Sequence, residues 1–182
     1  GSPCLESNTT GNDNTAVGRY SLSASTTGSR NTATGYYALF DATTGYENTA
    51  TGAYSLQNVT TGYTNTACGY AALEGLTTAI ESTAVGMRAG YQITTGSYNA
   101  ACGFKAGQTT TTGIGNACLG AYARPNAAGD HYSIAIGYAS IAKGDNTGMC
   151  QVTNGMYQAN NSADWSTTSD RRIKKNIVDN NV

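Results

Sequence analysis

The chain of 182 residues holds one histidine, five cysteines and eleven acidic residues, and their spacing limits the chemistry open to them. His131 follows Asp130, yet metal binding or acid–base catalysis needs further ligands at fixed spacing, and none surrounds it. It reads as a surface residue in a repeat slot. Cys4, Cys68, Cys102, Cys118 and Cys150 are odd in number and widely spread, with no Cys-x-x-Cys pair. They are expected to be small, buried, apolar thiols. The nine acidic residues before Ser169 are scattered singly, so two facing carboxylates able to cleave a glycosidic bond could meet only across chains. No Ser/His/Asp set, HExxH motif or P-loop occurs. What recurs instead are hydroxyls and phenols, in Thr-Thr pairs and in 13 tyrosines against 2 phenylalanines. Regular threonines could template ice, although stacked threonine equally suits strand edges and turns. Tyrosine suits half-exposed ladder positions, and it suits sugar stacking equally well. Asn8-Thr9-Thr10, Asn58-Val59-Thr60 and Asn160-Asn161-Ser162 match glycosylation sequons and read as turn chemistry.

The elements that carry these residues cannot be ordinary ones. Only 12% of residues are charged and 39% are hydrophobic, with 23 glycines and one tryptophan, which excludes a conventional helical bundle or doubly wound sheet. Disorder is excluded too, because the net charge is only -1 and tyrosine is abundant. A near-neutral balance gives no electrostatic footprint for nucleic acid or an anionic membrane. No apolar run approaches the roughly 20 residues that span a bilayer, so no membrane insertion is expected. Gly1-Ser2-Pro3 lacks the basic and apolar regions of a signal peptide and reads as a cloning scar.

The segments NTAVG (14–18), NTATG (31–35), NTATG (48–52), NTACG (65–69), STAVG (82–86), NAACG (99–103), NACLG (116–120) and SIAIG (133–137) begin 17 residues apart without a slip. The fifth slot is always glycine, at Gly18, Gly35, Gly52, Gly69, Gly86, Gly103, Gly120 and Gly137. These glycines are expected at turns, where the backbone needs a positive φ or meets another backbone closely. A second motif, Thr-Thr-Gly, recurs at 26–28, 43–45, 60–62, 94–96 and 111–113, with Thr-Thr-Ala at 77–79. The same triplet at 9–11, and Leu5 in register with Leu22, Leu39, Leu56 and Leu73, place an incomplete earlier copy at 1–13. After Ser133 the spacing shortens and the array is expected to end by 149.

Seventeen residues with two glycine turns are too few for a helix hairpin and enough for one coil of a solenoid. The expected fold is all-β: a repetitive parallel β-roll or β-helix of 17-residue coils, each with two short strands. Within NTAVG, slots one, three and five face one way, against something that admits nothing larger than alanine, and slots two and four face the other. So thin a coil is expected to need partners to bury the Leu22/Leu39/Leu56/Leu73 and Tyr20/Tyr37/Tyr54 columns. Three chains, intertwined or side by side in a homotrimeric fibre, would enclose a core and leave few free sheet edges.

The units resemble the head repeats of trimeric autotransporter adhesins and of viral tail fibres, in which Asn/Ser-x-Ala-x-Gly strands repeat along a left-handed parallel β-roll. SIAIGYASIAKGDN (133–146) is the closest match, and the resemblance covers roughly residues 5 to 149. The C-terminal end differs in kind. Four of the ten Lys and Arg residues (Arg171, Arg172, Lys174 and Lys175) fall in the last 14 residues, after the single tryptophan, Trp165. Ser169 to Ile177 fits the pattern S-D-x-R-x-K-x-N-I and resembles the opening of the intramolecular chaperone of phage endosialidases and tail fibres. That resemblance implies a domain that drives trimerisation and then releases itself, with Ser169 as nucleophile and Lys174 as general base. Only five residues follow Ile177, so the chaperone body is expected to be missing and the chain not to cleave itself.

The expected organisation is a partial repeat at 1–13, the array at 14–149, a β-rich neck at 150–168 and the truncated chaperone start at 169–182. The expected function is structural and host-attaching: part of a homotrimeric fibre or spike on the virion surface, extracellular, with a host glycan or protein as partner. No enzymatic activity, metal, cofactor or nucleic acid is expected. The alternatives are the head of a bacterial trimeric adhesin and a polysaccharide-degrading tailspike with an inter-chain carboxylate site.

Overall fold

The computed structural model describes residues 3–151; the neck expected at 150–168, apart from its first two residues, and the Ser169 to Val182 segment lie outside them. Nine three-residue strands follow one another in a single parallel sheet. They are β1 (Thr15–Val17), β2 (Thr32–Thr34), β3 (Thr49–Thr51), β4 (Thr66–Cys68), β5 (Thr83–Val85), β6 (Ala100–Cys102), β7 (Ala117–Leu119), β8 (Ile134–Ile136) and β9 (Gly148–Cys150). From β1 to β8 every strand residue pairs with its equivalent 17 positions on, as Ala33 does with Ala50. The chain is therefore a β-solenoid whose sequence period is its sheet register. The last pairing, Ile134 with Gly148, spans a shortened coil, so the sheet continues one strand past the final recognisable unit.

Each coil carries one strand, not the two expected. In the Thr-Thr-Gly half, successive N–H groups converge on one carbonyl: those of Thr44 and Gly45 both donate to Thr60 O, at 3.1 and 3.0 Å. A strand would spread these bonds along the ladder, whereas convergence turns the chain. Left-handed corners bound the remaining stretches, at Tyr37 (φ 57°), Leu39 (φ 51°) and Glu47 (φ 55°) in one coil. Such a conformation costs a non-glycine residue about 1–2 kcal/mol. Inter-coil bonds offset it, since Tyr37 N–H donates to Arg19 O at 3.1 Å, Leu39 to Ser55 O at 3.0 Å and Glu47 to Ser29 O at 3.0 Å.

The strand-end glycines meet both conditions anticipated for them. Gly52 has φ 131°, and a Cβ there would stand 2.6 Å from Gly69 O. Only a residue with no side chain fits both the angle and the separation of adjacent coils.

The core lies inside the coil of a single chain. Leu22, Leu39, Leu56 and Leu73 are wholly buried there, with Ala33, Ala50, Ala67 and Ala84 from the centre of each strand. The expectation that the leucine column needs a partner chain is therefore corrected: its left-handed corners turn the side chains inward. Where Gly90 replaces leucine, Leu73 of the preceding coil and Ile93 three residues on fill the space. The equivalent slot holds Ala42, Val59, Leu76 and Ile93 in successive coils, all buried. In the coil before these it holds Ser25, whose buried Oγ has no hydrogen-bond partner among the described residues.

Denaturation of three variants tests this core. Leu56→Ala is expected to lose about 2–5 kcal/mol. Ser25→Ala, which removes an unsatisfied hydroxyl, is expected to hold or gain stability. Thr44→Ala, at an exposed corner, should change it by less than about 0.5 kcal/mol.

Candidate functional site

The first slot of each unit forms a buried polar column. The backbone N–H of Asn48 donates to Asn31 Oδ1, that of Asn65 to Asn48 Oδ1 and that of Ser82 to Asn65 Oδ1, each at 3.0 Å. The side-chain amides reach across the coil: Asn31 Nδ2 donates to Gly45 O at 2.8 Å and Asn48 Nδ2 to Gly62 O at 2.9 Å. These asparagines are committed to holding the coil and are not presented to a ligand.

The opposite side of each strand faces outward. Two residues from each of β1–β8 point away from the core, and none carries a charge. The face begins threonine-rich, at Thr15, Thr32, Thr34, Thr49 and Thr51, and ends apolar, with Leu119 52% and Ile134 46% exposed. Roughly eight rungs at about 4.8 Å make it a narrow strip about 38 Å long.

The cysteines divide between these environments, which corrects the expectation that all are buried. Cys68 and Cys102 project from the outward face, Cys4 is exposed, Cys150 is half-buried, and Cys118 alone is buried, in the slot other strands give to alanine. Parity within the strand decides this, because a cysteine in slot four points out and one in slot three points in. Burial pushes the Cys118 thiol up to about 12.

At the Thr-Thr corners the first hydroxyl of each pair is spent on the next coil: Thr26, Thr43, Thr60, Thr77 and Thr94 each donate to the carbonyl of the equivalent residue, at 3.0–3.2 Å. Only the second threonine is left exposed. A shallow groove nearby, about 570 Å³, is lined by Gly75, Gln92, Thr94, Thr109, Thr111 and Asn126 among others and has no titratable group. His131 is half-buried, and its Nδ1 accepts the Ile114 N–H at 3.0 Å, a structural use of the ring. No group of three or more His, Cys, Asp or Glu residues that could hold a metal ion occurs among the described residues. Glu47 is paired with Arg30 at 3.0 Å.

The aromatic corner follows the strand-end glycines. Tyr20, Tyr37 and Tyr54 lie half-buried in one file, with Tyr20 and Tyr37 ring centroids 4.9 Å apart. Arg19 stacks over Tyr20 at 4.7 Å and donates to its hydroxyl at 3.1 Å. Burial, with the nearby tyrosines adding to it, raises the Tyr37 and Tyr54 hydroxyl pKa, so both stay protonated donors at neutral pH. Beside this file runs another that sequence reasoning did not single out, the residue directly after each glycine. It places Tyr36, Tyr70, Phe104 and Tyr138 in alternate coils. A search for a 34-residue double period would have found it.

Ser169 and Lys174 lie outside the described residues. Comparison of the chain with protein-family models, with curated proteins and with solved structures found no match.

Thiol labelling separates the cysteine environments. At pH 8 the folded chain is expected to react at Cys4 and not at Cys118, because the reactive species is the thiolate and a pKa near 12 leaves almost none. Cys118 should become reactive only on unfolding, and equal labelling of both in the native state would contradict its burial.

Proposed function

We propose that the chain is the structural and host-attachment part of a homotrimeric viral tail fibre or spike on the virion surface. The observation that carries this reading is the outward strip of the sheet: uncharged along β1–β8 and increasingly apolar toward β8. The apolar residues that project from its β5–β8 end, among them Val85, Leu119, Ile134 and Ile136, lie next to one another on one face, the kind of surface that another chain covers. The narrowness of the strip, three residues per strand, suits a closed arrangement in which each chain presents one edge of a prism to a common axis. The resemblance of the repeats to adhesin heads and viral fibres, and of 169–177 to a trimerising chaperone, favours three chains over two.

The strip, rather than the leucine column, is then the inter-chain core, while threonine at the β1–β5 end and apolar residues toward β8 grade its strength along the rod. A stiff trimeric rod would present three copies of every remaining surface side by side, so that weak contacts with a host gain by effective concentration.

Sedimentation is expected to give three times the 18.7 kDa chain mass. Leu119→Asp, which places a charge on the strip without touching the coil interior, should shift the protein toward monomer while leaving its β-sheet circular dichroism intact. A folded monomer in the unmodified chain would overturn the trimer. Separately, in a chain fused to an intramolecular chaperone of the kind the resemblance implies, Ser169→Ala is expected to block release of the C-terminal segment; continued cleavage would remove the role given to Ser169.

A further inference from the structure

We infer that the file of residues directly following the strand-end glycines is a binding site for an extended β-1,4-linked polysaccharide. This deepens the host-attachment reading by naming a ligand class and a site. Tyr36, Tyr70, Phe104 and Tyr138 recur every 34 residues, which is two coils, so the rings are spaced by about 9.6 Å along the rod. The coils between them carry Ala53, Met87 and Ala121, two of which are too small to interrupt a ligand lying along the file. The tyrosines are open to solvent, at 38% for Tyr36, 46% for Tyr70 and 71% for Tyr138, and Met87 is 47% exposed.

The neighbouring file holds these rings in place. Tyr54 packs edge-to-face between Tyr36 and Tyr70, with centroid distances of 5.4 and 5.6 Å and interplanar angles of 88° and 75°. Tyr122 repeats the arrangement between Phe104 and Tyr138, at 5.1 and 6.0 Å with both angles 84°. One brace between two platforms therefore occurs twice along the rod. Rings fixed in this way lose little freedom when a ligand settles on them.

The spacing selects the ligand. In an extended β-1,4-linked chain every second sugar presents the same face, and two sugars span a distance close to that between successive platforms. Sugar faces carry axial C–H groups that stack on aromatic rings, and tyrosine adds a hydroxyl at the wet edge. A coiled α-linked chain does not keep its faces in a straight row. Lys105, with Nζ 5.4 Å from the Phe104 ring centroid and 5.9 Å from that of Tyr122, lies in the bracing file and can donate to sugar hydroxyls or carboxylates beside the third platform.

The test is calorimetric titration of the intact chain, in its native oligomeric state, with cellohexaose, chitohexaose, mannohexaose and maltohexaose. At least one β-1,4-linked hexasaccharide is expected to bind and the α-linked maltohexaose not to. Tyr70→Ala and Tyr138→Ala should each weaken that binding at least tenfold, whereas Tyr98→Ala, at an exposed ring outside the file, should leave it unchanged. Failure of all three β-linked probes, equal binding of maltohexaose, or indifference to Tyr70→Ala would overturn the site. So would acrylamide or nitration accessibility showing that Tyr138 is covered by a neighbouring chain in the trimer. A trimer of the expected mass that binds none of the sugars removes this site and leaves the fibre reading standing. A folded monomer that binds them with the same ring dependence upholds the site and removes the fibre reading.

Discussion

The buried asparagine column is the constraint on which the coil depends. Each asparagine makes bonds in two directions: its Oδ1 accepts the N–H of the next coil's slot-one residue, and its Nδ2 crosses the interior to a carbonyl 14 residues on. The first bond fixes the stacking of rungs and the second fixes how much chain one turn contains. Coil length is therefore coupled to the identity of one residue. Where the solenoid shortens, Ser133 occupies the slot, and its Oγ donates to Gly144 O at 2.7 Å, only 11 residues on. Ser82, in a coil of full length, shows the other side of the coupling: its Oγ turns to Ile80 O at 3.3 Å and makes no crossing bond. A shorter side chain in an unshortened coil cannot reach. Removing an asparagine would strand buried polar groups at both ends of its bonds, each worth about 1–3 kcal/mol.

A coil closed in this way tolerates corners that an isolated peptide would avoid. Left-handed residues recur at equivalent positions, and at the leucine corners the unusual angle sends the largest apolar side chain of the unit into the interior. The cost of the angle and the gain of burial fall on one residue, with an inter-coil N–H bond holding it. Small side chains elsewhere follow from the same geometry. Adjacent backbones approach so closely at the strand-end glycines that even a methyl group would meet a carbonyl, and only alanine-sized side chains are buried at the strand centres of β2–β6.

Much of this is legible in the residues because period and register are one quantity. The 17-residue spacing of NTAVG-type segments becomes the pairing of Ala33 with Ala50, and alternation within the strand correctly separates Ala33 from Thr34. Four features were not legible, each for a physical reason. Leucine in a left-handed corner contradicts its usual preference, so Leu39 looked like a residue awaiting a partner. The Thr-Thr-Gly half has strand composition, but converging hydrogen bonds turn it. Cysteine is apolar enough to suggest burial wherever it stands, and only slot parity separates Cys68 from Cys118. The candidate sugar-binding file escaped notice because its period is twice that of the coil.

Hydrogen exchange of the asparagine column bears most directly on the coil described here. In a uniformly labelled native sample, the backbone N–H of Asn48 and Asn65 and the carboxamide protons of Asn31 and Asn48 should exchange as slowly as the strand amides of β3 and β4 and be released with them in one cooperative opening. Exchange of those carboxamides at the rate of exposed side-chain amides such as that of Gln92, while the strand amides stay protected, would show that the column does not hold the coil closed.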